Sequence, residues 1–324
     1  MITVTATSFD AEHPLTGLRV GEGPEPVVPD GWARVRVRAA AINHHDLWSL
    51  RGVGLPADRL PMVLGCDAAG VDEDGREVVV HAVINAADWT GEETLDPGRT
   101  LLSELHPGTL ATYVAVPRRN LVPKPPELTF EQAACLPTAW LTAYKMIFSC
   151  AAVRPGDAIL VQGAGGGVAT AAILLGRAAG LTVYATSRDE ARRTRAVELG
   201  AHGAFAPGSR LPSRVDAVIE TVGAATWSHS VKSVRPGGTI VIAGATSGDA
   251  PDHAELTRIF FLQLRVQGAT MGSRHELAQL MSFLVNTGTR PLVDRVLPMT
   301  EATAAFAALA AGEVFGKIVL TNPA

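Results

Sequence analysis

The sequence predicts an α/β chain: a doubly wound parallel sheet with a mainly β part ahead of it. Three observations carry this. Residues 157–201 read without a break as strand, glycine turn, helix, strand and helix. The same alternation continues beyond residue 201, whereas the first 120 residues look mainly β, with the period of two of a strand with one wet face over residues 32–41. A length of 324 residues exceeds one such α/β unit, and a chain that is 47% hydrophobic and 19% charged can bury two large cores.

From the N-terminus, residues 32–41 alternate Arg34, Arg36 and Arg38 with Val35, Val37 and Ala39, a strand pattern that follows the loop Gly21-Glu-Gly-Pro-Glu-Pro26. Further strands fit residues 76–83 and 109–116, separated by a polar span, residues 85–108, that contains Gly and Pro. Pro123-Lys-Pro-Pro126 punctuates the chain, and Thr129-Phe-Glu-Gln132 reads as a capped helix start. Asp157-Ala-Ile-Leu-Val-Gln162 has the near-continuous apolar run of a strand buried on both faces. Val168, Ala171, Ala172, Leu175, Ala178 and Ala179 then recur at helical spacing up to Gly180, and residues 181–185 form the next strand. Strands follow at 215–219, 239–243 and 264–267, with helices at 224–234 and 253–261. Helices at 276–285 and 301–309 and a strand at 317–320 finish the chain.

The order across residues 157–201 is half of a Rossmann dinucleotide-binding fold. Gly163, Ala164, Gly165, Gly166, Gly167 and Val168 occupy the turn, where a diphosphate must approach backbone N–H groups at a helix N-terminus and side chains would block it. The fingerprint reads Ala164-x-Gly166-x-x-Ala169, with alanine at two of three glycine positions, and an ordinary strand–helix connection would have the same look. The second strand ends about 20 residues after the turn, where NAD-binding folds place an acidic residue on the ribose. This chain has Ser187-Arg188 there, with Arg192 and Arg193 one helical turn on. Lack of a carboxylate removes repulsion of a 2′-phosphate and guanidinium groups can clamp it, so NADP(H) is favoured. Arg192, Arg193 and Arg195 also read as the solvated face of a helix, as most such arginines are, and only Ser187-Arg188 at the strand end has a position that argues otherwise. Val222 and Gly223, and Gly244 and Ala245, sit just past strand C-terminal ends, where open parallel sheets bind ligands; turn geometry alone would also explain the glycines.

A net charge of −4 without a basic block argues against nucleic-acid binding, and no apolar run is long enough to span a membrane. Cys66, Cys135 and Cys150 are too few and too far apart for a disulfide framework or a structural zinc site. The first residues lack a basic segment followed by an apolar core, so a cytoplasmic protein is expected.

Four segments, in order, resemble the medium-chain dehydrogenase/reductase family: Ala40-Ala-Ile-Asn-His-His-Asp-Leu-Trp48, Leu64-Gly-Cys-Asp-Ala-Ala-Gly70, Leu136-Pro-Thr-Ala-Trp-Leu-Thr-Ala-Tyr144 and Phe315-Gly-Lys-Ile-Val-Leu320. The resemblance implies a GroES-like catalytic domain over residues 1–122, a Rossmann NADP-binding domain over 123–270, and a return to the catalytic domain over 271–324. It implies an active site in the cleft between domains, and a homodimer paired through the Rossmann sheets, for which residues 258–267 are the expected contact region.

Zinc-dependent members of the family hold catalytic zinc at positions that align here with Asn43, Cys66 and Thr138, of which only Cys66 is a good zinc ligand. The lobe that carries four cysteines in those enzymes corresponds to residues 85–108, which have none. No metal is therefore expected, and the chain resembles the zinc-free quinone oxidoreductase and enoyl reductase branch. That resemblance implies hydride transfer from NADPH to a quinone or to the β-carbon of an α,β-unsaturated carbonyl. Hydrogen-bond donors must then stabilise the developing enolate, and a proton must come from a side chain or water. Asn43 is the first candidate for the polar contact, with His45 and Asp46 as relay or orienting groups; Asp46 bonding backbone or a neighbouring arginine, and a surface or structural His45, are the plainer alternatives. Thr142 and Lys317 are similar to family residues near the nicotinamide end of the cofactor or its phosphates.

His44, His45, Asp46 and Cys66 are competent metal ligands, but His44 and His45, taken as neighbours on an extended segment, point to opposite faces. Zinc-free reductases often carry a tyrosine near the adenosine phosphate, where this chain reads Gly200-Ala-His-Gly-Ala-Phe-Ala-Pro207. An alcohol dehydrogenase with an atypical metal, and a non-catalytic NADPH-binding protein, remain as alternatives.

Overall fold

The computed structural model describes residues 1–323. The chain divides into two compact units: Met1–Ala139 together with the chain from Ser273 onward, and Trp140–Gly272.

The second unit is built on six described strands, in the order Gly203–Phe205, Thr182–Thr186, Ala158–Val161, Val215–Glu220, Val234–Ile242 and Arg265–Gly268. All neighbours are parallel. Numbered by sequence within the unit this is the order 3-2-1-4-5-6, with the reversal beside Ala158–Val161, the place where such sheets bind dinucleotides. Ile159, Leu160, Val218 and Ile219 are fully buried, which accounts for the unbroken apolar runs in the sequence. The helix Gly167–Ala178 lays Ala171, Ala172 and Leu175 on the sheet, and Gly176 lets it come close: a Cβ there would lie 2.9 Å from Val183 Cγ2. The edge strand Arg265–Gly268 is exposed throughout, as are Leu256, Phe260 and Phe261 of the preceding helix.

In the first unit the long strand Trp32–Ala41 is central. It pairs antiparallel with Asp67–Asp72, Tyr113–Pro117 and the C-terminal strand Lys317–Thr321, whose Val319 lies opposite Ala41. Glu77–Val80, Leu121–Pro123 and Val293–Pro298 extend the sheet, and Ile2–Ala6 with Leu18–Glu22 and Met62–Val63 form a second, smaller one. The C-terminal segment thus completes the β-rich unit.

Two local expectations need correction. The Pro-rich punctuation at residues 123–126 does not end the first unit, which runs to Ala139. Lys124 donates to Leu128 O at 2.7 Å, and the helix Phe130–Ala134 buries Ala133 and Ala134, with the Arg38 guanidinium over the Phe130 ring. The segment expected to be extended around His44 and His45 is the helix His44–Leu50. Asn43 caps it, and Asp46 at its third position accepts the Asn43 N–H at 2.8 Å, an arrangement that satisfies donors the helix start would otherwise strand.

Candidate functional site

Each unit carries a polar constellation at positions singled out from the sequence. In the second unit it is a glycine cradle at the start of the helix Gly167–Ala178. Gly165 has φ +125°, where a side chain is strained, and a Cβ there would lie 2.9 Å from the Arg192 guanidinium. Gly166 caps the helix without a side chain and faces open space, so the N-terminal N–H groups remain approachable.

The cradle is pinned from below by a buried network that sequence reasoning missed. Ala164 N donates to Thr186 O at 2.7 Å and Gly163 N to Thr186 Oγ1 at 3.3 Å. Thr186 Oγ1 donates to Gln162 Oε1 at 2.6 Å, and Gln162 Nε2 donates to Ser230 Oγ at 2.9 Å and to His229 Nδ1 at 3.1 Å. His229 therefore carries its proton on Nε2, which donates to Ser209 O at 2.9 Å. Ser230 Oγ donates to Glu220 Oε2 at 2.6 Å, and Glu220 Oε1 accepts the N–H groups of Val222 and Gly223 at 2.8 and 3.0 Å. Three strand ends are locked together in this way. The signal was present in the sequence: Gln162 and Glu220 are polar residues closing apolar strands, and a parallel sheet buries both positions.

Gly223, at φ +93°, also has a packing task, because a Cβ there would lie 2.5 Å from Gly248 O and 2.8 Å from Ala245 Cα. The segments of Val222 and Ala245 are joined by Ser247 N donating to Val222 O at 2.8 Å, and Gly244 packs on Thr221. At the end of the strand Thr182–Thr186, Ser187 is nearly buried and Arg188 exposed, and Arg193 donates to both of their carbonyls. Asp189 caps the next helix by accepting Arg192 N at 3.3 Å. Thr142 is buried in the helix Leu141–Tyr144, which packs on the helix behind the cradle.

In the first unit the nearly buried Asn43 donates from Nδ2 to Asp67 Oδ2 at 2.9 Å. Lys317, 3% exposed, donates to Asn43 Oδ1 at 2.5 Å, to Ile42 O at 2.9 Å and to Asp67 Oδ2 at 3.1 Å. All three ammonium protons are thus committed inside this unit. Asp46 is fully buried, and its second oxygen accepts Gly65 N at 3.0 Å. His44 is exposed. The half-buried His45 turns the other way: Nε2 donates to Glu104 Oε1 at 2.9 Å, and Nδ1 lies 3.6 Å from Cys66 Sγ. Cys66 Sγ donates to Leu102 O at 3.2 Å and sits 3.5 Å from Ser103 Oγ.

Burial lowers the pKa of His45, but Cys66, the Glu104 hydrogen bond and the Asp46 charge outweigh it and lift the imidazole well above its usual range. Burial pushes the Cys66 thiol up despite the nearby His45. Among the described residues, no group of three or more His, Cys, Asp or Glu side chains is placed to hold a metal ion. The third aligned zinc position, Thr138, keeps a buried hydroxyl with no hydrogen-bond partner.

One unit holds a Rossmann sheet with a glycine cradle and the other a β-rich sheet closed by its own C-terminal strand, the two parts of a nicotinamide-dependent oxidoreductase. The model of the alcohol dehydrogenase GroES-like domain matches residues 29–126, and that of the zinc-binding dehydrogenase matches residues 167–286. A crystal structure of an NAD-dependent alcohol dehydrogenase is 34% identical with a TM-score of 0.90, and the match covers 100% of both chains. NorB of the spectinabilin polyketide synthase system of Streptomyces orinoci is 31% identical over 317 residues; the match takes in 93% of this chain but spans only 14% of NorB. Acryloyl-coenzyme A reductase of Sulfurisphaera tokodaii is 27% identical over 300 residues, covering 86% of this chain and 89% of the relative. The chain belongs to the medium-chain dehydrogenase/reductase family.

Proposed function

We propose that this chain is an NADPH-dependent reductase that delivers hydride to a quinone or to the β-carbon of an α,β-unsaturated carbonyl, and that it does so without zinc. The observation that carries the cofactor choice is the Arg192 guanidinium against Gly165, next to a strand end that reads Ser187-Arg188 in place of a carboxylate. The glycine cradle and helix N-terminus hold the diphosphate, and Arg188 and Arg192 the 2′-phosphate. Val222, Gly223, Gly244, Ala245 and Thr142 line the remainder of the cofactor path. Bound NADPH supplies the hydride.

The reading of the acceptor is supported by the similarity to acryloyl-coenzyme A reductase and by Asn43, which stands at a zinc-ligand position with its oxygen given to Lys317. Asn43 brings polarity to the substrate carbonyl, Asp46 fixes the segment that bears it, Lys317 holds the Asn43 oxygen near the nicotinamide end of the cofactor, and His45 returns a proton after hydride addition. A homodimer through the exposed edge strand Arg265–Gly268 and the exposed Phe260 and Phe261 belongs to the same proposal.

The similarity to an NAD-dependent alcohol dehydrogenase favours a second reading, interconversion of an alcohol and a carbonyl with a bound metal. Oxidation of NADPH and of NADH should be followed with quinones, enones, enals and enoyl thioesters, before and after chelation. Turnover with NADPH, little with NADH and no loss on chelation supports the reductase. Preference for NADH with loss on chelation supports the second reading, and no turnover on any acceptor overturns the first.

A further inference from the structure

Residues 102–106 form a loop that keeps a costly conformation. Ser103 is a fully buried non-glycine residue with φ +66°, in the left-handed region. It is held there by its own N–H donating to His106 O at 2.8 Å and by Leu102 N donating to Ala82 O at 3.2 Å. The outcome is that the Ser103 hydroxyl reaches Cys66 while the next side chain, Glu104, turns its carboxylate onto His45 Nε2. A second loop makes way for the same carboxylate. Gly54 has φ +83°, and a Cβ there would stand 2.8 Å from Glu104 Oε1. Both partners of the His45–Glu104 pair are about a quarter exposed, and water would serve an ordinary surface pair as well. Strained backbone kept beside a titratable pair is found chiefly where geometry matters for function.

We propose that Glu104 is a positioning residue for His45, fixing the imidazole so that Nδ1–H is its proton donor during reduction. This rests on the reductase reading above. With Nε2–H given to Glu104, the remaining donor, Nδ1–H, faces the Cys66 sulfur at 3.6 Å, a weak acceptor whose own S–H is spent on Leu102 O. A substrate oxyanion is a stronger acceptor and takes over that hydrogen bond. As hydride adds to the β-carbon, the C=C electron pair moves toward the carbonyl and makes an enolate. The Nδ1 proton passes to that enolate, the N–H bond electrons stay on the ring, and neutral imidazole keeps its Nε2–H on Glu104. Water returns the proton to Nδ1, so the acceptor gains two electrons and two hydrogens while the cofactor is oxidised. The groups that face His45 are Cys66 from the segment before Asp67–Asp72, Glu104 from its loop, and Asp46 on its own helix.

The test is ¹⁵N NMR of the histidine side chains in the full chain, with His45 assigned by His45→Asn, in wild type, Glu104→Gln and Glu104→Asp. In the wild type neutral His45 should carry its proton on Nε2, and Glu104→Gln should weaken proton binding by about tenfold, one pH unit. With an acceptor that turns over, Glu104→Gln should lower kcat about 10-fold or more and move its alkaline limb to lower pH by the same interval. The KM for NADPH should be unchanged, with partial recovery in Glu104→Asp. A wild-type His45 protonated on Nδ1 when neutral, or a Glu104→Gln protein whose His45 titration and kcat limb do not move, overturns the proposal. Should the wild type turn over no acceptor, the reductase reading fails on that result, and the NMR titration still decides whether Glu104 holds His45. If Glu104→Gln does not fold, the wild-type tautomer decides.

Discussion

Lys317→Met removes a buried ammonium and leaves its acceptors in place. Lys317 and Asp67 are 3% and 0% exposed, and the ammonium reaches Asp67 Oδ2, Asn43 Oδ1 and Ile42 O. Methionine fills much of the lysine stem's volume, so packing changes little and the loss is mainly that of a cation beside a carboxylate sealed from water. Breaking a buried pair by removing one partner costs about 3–5 kcal/mol. For a unit of this size each kcal/mol is worth about 2–4 °C, so the melting transition of the β-rich unit should fall by roughly 6–20 °C. Differential scanning calorimetry resolves the transition, and the double variant Lys317→Met/Asp67→Asn supplies the control. With the carboxylate gone as well, the double variant should melt above the single one, since most of the penalty is an uncompensated charge. A single variant within about 1 kcal/mol of wild type, or a double variant no better than the single, would refute the view that this network is a closed buried charge pair.

Arg192→Ala should raise the KM for NADPH about 10–100-fold while leaving that for NADH nearly unchanged, measured by steady-state kinetics, because a charge-assisted contact to phosphate is worth about 1.5–3 kcal/mol. Gly223→Ala forces a side chain to φ +93° against Gly248 O and should destabilise the Rossmann unit by at least 1–3 kcal/mol, read by denaturant unfolding. His45 has its pKa raised in the folded chain, so its contribution to stability is complete below about pH 6.5 and fades as pH rises through the raised folded value. Urea midpoints of wild type and His45→Gln at pH 6 and pH 9 should therefore differ more at pH 6.

Where one physical pattern dominated, the sequence was readable. The apolar run ending at Gln162, the glycines after it and the spaced apolar residues up to Gly180 describe a strand, a turn and a helix, because a parallel sheet covered on both faces admits little else. The helix His44–Leu50 was missed because its start depends on Asn43 and Asp46 serving as caps, and a short helix lacks the repeats that reveal periodicity. The boundary at Ala139 was hidden by prolines that end a strand rather than a unit. Ile2–Ala6 and Val293–Pro298 went unnoticed, since short strands draw their stability from partners far away in sequence. In the candidate site Asn43, His45 and Asp46 were named from a motif, but what they touch was not legible. Lys317 reaches Asn43 across 274 residues and Glu104 reaches His45 across 59, and no local pattern encodes such meetings.

The most direct measurement is the position of deuterium after reduction of an α,β-unsaturated ketone or thioester with NADPH deuterated at the transferring C4 position. Deuterium on the β-carbon of a saturated carbonyl product is the expected result and establishes conjugate reduction. Deuterium on the carbonyl carbon of an allylic alcohol would contradict it and mark the chain as an alcohol dehydrogenase.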